Sequence, residues 1–387
     1  AVSAHGAAGD VPHPDIADRS HVEVQPLRAT SNNLKHLELL DQLDWSHVSL
    51  CAGLLRDVPE HWVSSVAEAK HAVVVSIIKH RMSTATDRAV TLDRLWKLFA
   101  CTDALLLHKD PRSRGGKRNQ GGHKLNETIA GRLRSFWAGA WTQLWLNLEC
   151  TVGRSSQKPF SKSPEAEDKR TVKTMQHLLS HNAVSKAVSR VSEPMRFARG
   201  PDVPSRLQDM FPPPAAVTTL QAPHEAISDE LRQELVAHID KELQSLPRMC
   251  GAGANGSYYE HLSLHKQIHE GTACLADVLA DLVTGAAPEN AVKALRSGRA
   301  HPPLKPGSEV DIRPLVASSA QWRVTMRGWS KMFEEETLTA VGVAQFGVAR
   351  PGGPVSMRHE LEARIASDPT LALAALDVAA LIKVDSC

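Results

Sequence analysis

The chain has 387 residues, of which 42% are hydrophobic and 23% charged, with a formal net charge of +2. This is ordinary globular usage with enough length for a sizeable core, and the near-neutral sum gives no whole-chain attraction for a polyanion. The six cysteines are far apart and form no C-x-x-C pair, which argues against a zinc ribbon or a small disulfide scaffold and makes a reducing, intracellular setting the expected one. No run of about 18 apolar residues suggests a membrane span, and residues 1–30 have no apolar signal-peptide core.

Residues 1–30, rich in Ala, Gly, Pro and Asp, are expected to be disordered. Residues 31–150 read as a helical domain with a basic loop. Apolar positions three and four apart predict helices over Val63–Met82 and Leu92–Leu107. Paired glycines and Pro111 then predict a loop. From His108 to Arg134 eight Lys or Arg face two acids, and Arg112, Arg114, Lys117 and Arg118 form a candidate nucleic-acid backbone contact. A solvated loop and a nuclear-import signal are the other readings of that cluster. Helix is expected to resume at Glu127 and to run through SFWAGAWTQLWLN, placing Trp137, Trp141 and Trp145 on one face, chiefly as core.

Residues 151–225 read as a polar, Pro-rich linker carrying a short helix. Ser228 is an N-cap candidate, with Asp229 and Glu230 in the first turn behind it. Two further helices are expected over Tyr258–Gly285 and Pro288–Arg296. The first would align His261, His265 and His269 as a weak metal candidate. A small antiparallel hairpin near residues 300–318 is the best strand candidate. The fold class expected is mainly α with a small β component.

The last 140 or so residues carry an ordered set of motifs: GANGSYYEHLSLH from Gly253, RAHPPLKPGSEVDIRPLV from Arg299, QFGVARPGG from Gln345 and LALAALDVAALIKVDS from Leu371. Their order and spacing resemble the fingers and early palm of non-LTR retrotransposon reverse transcriptases. Upstream, LWKLFACTDALLLHKDPRSRGG and the run from SKAVSRV to FPPP also resemble segments of such polyproteins. The similarity covers roughly residues 90–387, and residues 226–387 would be a partial α+β fingers and early palm.

The resemblance implies RNA-directed DNA polymerase activity in the parent protein, with Mg²⁺ as its cofactor and RNA or DNA as its partner. Asp377 matches the first catalytic and metal-binding aspartate. Lys305 and Arg313 match nucleotide-phosphate contacts of the fingers hairpin. Gln345, Gly347, Gly352 and Gly353 match a template-side loop, where glycines let backbone approach a strand closely. The sequence departs from the family in two places. No Tyr-x-Asp-Asp occurs in the chain, and Ile382 stands where the family has an aromatic. Two-metal chemistry needs more than one carboxylate, so the expectation is a fragment that contacts template and nucleotide but does not polymerise alone. The alternative expectation is a standalone helical nucleic-acid-binding or interaction protein derived from retroelement sequence. No membrane partner is expected.

Overall fold

The computed structural model describes residues 37–48, 53–109, 121–155, parts of 172–210, 227–304, 308, 311–313, 315–341 and 353–368. The expected disordered segment at residues 1–30 lies outside them. The described residues are mainly helical with one small sheet, as composition and periodicity predict.

The front of the chain begins with the short α1 (Trp45–Val48), followed by α2 (Val63–Arg81) and α3 (Arg88–Leu107). These last two match the helices read from apolar spacing. Both are apolar almost all round, and both are buried on most sides. The helices α4 (Gly121–Trp137) and α5 (Trp141–Ser155) cover them, and α6 (Val203–Met210) follows. The expected single helix through the tryptophans is corrected here. Gly139 adopts φ 74°, a left-handed conformation open to glycine, and the chain turns between Trp137 and Trp141. Trp141 and Trp145 enter the core, whereas Trp137 is exposed.

The second half is built on α7 (Asp229–Gln244), α9 (Gly271–Thr284) and α11 (Ala320–Met332), which pack on one another. Ser228 caps α7 by accepting the Leu231 N–H at 3.2 Å, and Asp229 and Glu230 sit in its positive first turn. The expected helix from Tyr258 to Gly285 is broken into pieces. A short α8 (Tyr259–Leu262) runs into a 3₁₀ turn at Ser263–Gln267, and Glu270 takes a left-handed φ of 55° before α9 starts. Gly271 fits there because an added Cβ would meet the His265 carbonyl oxygen. The three histidines therefore share no helical face.

The helix α10 (Glu289–Arg296) leads into β1 (Gly298–His301), which pairs antiparallel with β2 (Leu315–Ser318) from Gly298↔Ser318 to His301↔Leu315. A further bridge joins Leu304 and Ile312. The hairpin thus falls where the sequence predicts it. Ser319 joins it to the rest: its hydroxyl donates to the Leu295 carbonyl at 2.7 Å and accepts the Trp322 N–H at 3.1 Å, capping α11. The described residues end in α12 (Glu334–Val341) and α13 (Gly353–Ser367).

The main hydrophobic core among the described residues runs from Leu37 to Met332, so the two helical regions are packed together. Arg81 at the end of α2 and Arg232 on α7 both bind Asp277 and Asp281 of α9, at 2.7–2.9 Å for the bonds from Arg232 Nη1 to Asp277 and from both arginines to Asp281. Burial pushes the Asp281 carboxyl above its usual range, against the pull of the two guanidiniums.

The α7–α11 contact depends on Gly328, where a Cβ would lie 2.6 Å from Ile239 Cγ1 and 3.0 Å from Ile239 Cα. Gly328→Val is expected to cost about 1–3 kcal/mol by overpacking, read as a lower urea midpoint at unchanged slope. An unchanged midpoint would show that these helices are not in close contact.

Candidate nucleic-acid interface

The chemically densest cluster lies at the seam between the two helical regions. Asp103 projects from the apolar α3 and is 3% exposed. Its Oδ1 binds Lys70 Nζ of α2. Its Oδ2 accepts from Ser257 Oγ at 2.7 Å and lies 3.4 Å from His261 Nδ1. His261 Nε2 contacts the Leu55 carbonyl at 2.7 Å, and Gln321 of α11 accepts from Asn255 Nδ2 at 3.2 Å beside them. Burial alone would raise the Asp103 carboxyl, but the charges of Lys70 and His261 and their hydrogen bonds hold it far below the usual carboxylate range.

Ser, His and Asp meet here, yet the arrangement is not that of a hydrolase. A catalytic serine must reach a base nitrogen. Ser257 instead donates to the carboxylate, while His261 Nε2 is occupied by a backbone carbonyl. Ser257 and His261 are both fully buried, so no substrate meets them. The cluster joins α2, α3, the 255–261 segment and α11, and its work is structural.

That rigid seam presents an open groove on the other side of α11. Trp322, Met326, Trp329 and Phe333 recur at helical spacing along it, with Arg323, Arg327 and Lys331 in the adjacent row. The groove has a volume of about 830 Å³ and is completed by Tyr259, Ser318 and Glu242. Arg323 stacks over the Tyr259 ring at 4.7 Å and donates to the Gly251 carbonyl at 2.9 Å. Arg327 pairs with Glu242 at 2.6 Å, and Lys331 pairs with Glu334 at 2.9 Å. Trp329 and Phe333 stand 5.0 Å apart. Half-buried aromatic faces thus lie beside a basic row whose charges are partly neutralised by Glu242 and Glu334.

Of the residues singled out in the sequence, Arg313 is exposed on the returning arm of the hairpin, its N–H bound to the Pro303 carbonyl at 2.7 Å. Gly353 opens α13. Lys305, Gln345, Gly347, Gly352, Asp377 and the cluster Arg112, Arg114, Lys117 and Arg118 lie outside the described residues. His261 and His265 are buried and His269 is exposed. Among the described residues no group of His, Cys, Asp or Glu is arranged to hold a metal ion. The α11 stripe escaped the sequence reading. Its signal was Ser319 as an N-cap before Trp322, Met326 and Trp329. The seam also escaped, because Lys70 and Asp103 stand among other charged residues of α2 and α3, such as Glu68, Asp93 and Lys97.

Comparison with known protein families, with curated proteins and with solved structures finds no match to this chain.

Two outcomes follow for the seam. Asp103→Leu leaves Lys70 buried and unpaired and is expected to cost about 3–5 kcal/mol, whereas adding Lys70→Met restores most of the loss. Additive losses in that double-mutant cycle would contradict the pairing. Acid acts on the same place. Burial, reinforced by Lys70 and His71 and opposed by Asp103, holds the His265 imidazole well below its ordinary value. The unfolded chain then binds a proton that the folded chain refuses. Stability therefore falls as pH drops below about 6.5, by at most about 1.4 kcal/mol per unit for one proton. His265→Leu should flatten thermal stability between pH 6.5 and 5; an equally steep profile would assign the loss elsewhere.

Proposed function

We propose that this chain is the nucleic-acid-holding front part of a retroelement RNA-directed DNA polymerase, supplying template and nucleotide contacts without polymerising alone. The observation that carries this reading is the antiparallel hairpin Gly298–Ser318 leading directly into the basic and aromatic α11. It lies where the resemblance to reverse-transcriptase fingers implies a hairpin, and Arg313 is exposed on it. An exposed guanidinium offers a forked, charge-assisted contact to a phosphate. The α11 groove adds stacking surfaces next to that arm. Mg²⁺ in the parent polymerase would need several carboxylates. Asp377 lies outside the described residues, and the described residues contribute no metal-holding set of carboxylates.

The test is fluorescence anisotropy of the full chain with labelled single-stranded RNA and with an RNA–DNA hybrid. Binding should weaken linearly with log salt, by about 0.7 log units per phosphate contact on a single strand. Arg313→Glu with Lys331→Glu should shallow that slope by about one to two contacts. Trp329→Ala should cost about 1–3 kcal/mol of affinity, as loss of one stacked base. Affinity indifferent to salt and to all three substitutions would overturn the reading. The purified chain should extend no primer; Mg²⁺-dependent DNA synthesis would contradict the second half of the proposal.

A further inference from the structure

His265 is fully buried in the 3₁₀ turn behind the Asp103 seam, and neither ring nitrogen makes a well-formed hydrogen bond, the ring gaining only a backbone contact to Gly271. A buried imidazole whose acceptor nitrogen is unmatched is costly, because that nitrogen has given up water and gained nothing. The ring lines a small pocket with Lys70, Phe99, Thr102, Leu262 and Gln321, of about 10 Å³. That is the room one water molecule needs and too little for any larger ligand.

We propose that this pocket binds a single internal water that hydrogen-bonds His265 to Lys70 and Thr102. The inventory of donors and acceptors matches. Lys70 has three N–H groups, and only one is needed for Asp103. The Thr102 hydroxyl donates to the Leu98 carbonyl and keeps its lone pairs free to accept. The imidazole offers the water its acceptor nitrogen, its N–H being left to the Gly271 backbone contact. A water accepting from Lys70 and donating to Thr102 and to the imidazole acceptor makes three bonds, the usual number for a buried water. The pocket does not suit a metal cation, since an ammonium lies in its wall. His71, whose ring stands 6.1 Å from His265, has a buried Nδ1 without a partner on the far side of the same helix contact. The water would therefore sit where α2, α3, α11 and the 263–267 turn converge, as part of the seam's hydrogen bonding.

The test combines a high-resolution crystal structure of the full chain with water-selective NMR cross-relaxation. One ordered water within about 3.2 Å of both Lys70 Nζ and a His265 ring nitrogen is expected, with a long-lived cross-peak to the His265 ring. Thr102→Val is near-isosteric and, once its thermal transition is shown to remain cooperative, should reduce or abolish that cross-peak. His265→Phe should abolish the water density. A dry pocket in the wild-type chain, a direct Lys70–His265 contact that closes it, or undiminished water in His265→Phe would each overturn the proposal.

Discussion

One buried carboxylate sets the geometry of this protein. Asp103 lies buried near the end of an apolar helix, where an unpaired charge could not be held. It is tolerated because Lys70, Ser257 and His261 converge on its two oxygens. Lys70 and Ser257 lie 33 and 154 residues from Asp103 in the sequence, so the requirement couples distant parts of the chain. A hydrophobic contact tolerates sliding by a fraction of a residue. A buried ion pair with directional bonds does not, which favours one register between α2, α3 and the 255–261 segment.

The consequences spread outward from that register. Asn255 and Gln321 carry it to the start of α11. Ser319 ties the same point to α10 and to the last rung of the hairpin. Gly253 lets the 251–257 turn lie against this junction, since a Cβ there would fall 2.6 Å from Ser319 Cα. The second ionic cluster, Arg81 and Arg232 with Asp277 and Asp281, fixes the far end of α2 against α9. The proposed nucleic-acid groove is thus borne on an element held from several sides, and a stacking platform needs such rigidity.

What was legible in the sequence follows the range of the forces involved. The helices α2 and α3, the Ser228 cap of α7 and the hairpin were readable because periodicity, capping and turn residues are local. Two helices were expected to run on where the structure stops them. At Gly139 and Glu270 a left-handed residue breaks the helix, and neither neighbouring segment has a proline to announce it. The seam was invisible as a cluster because its members are scattered over some 250 residues of sequence. Of the candidate site residues, Arg313 could be placed with its side chain exposed, whereas the α11 stripe became a candidate only once Tyr259 and Glu242 were seen beside it.

The central claim is that the Asp103 seam makes both helical regions one cooperative unit. Native-state hydrogen exchange in rising denaturant tests it most directly, comparing amides of Leu98–Leu106 in α3 with those of Leu275–Leu282 in α9. Both sets should merge onto one opening free energy equal to that of global unfolding. Two separate limits, with one helix exchanging through an opening that leaves the other protected, would contradict it.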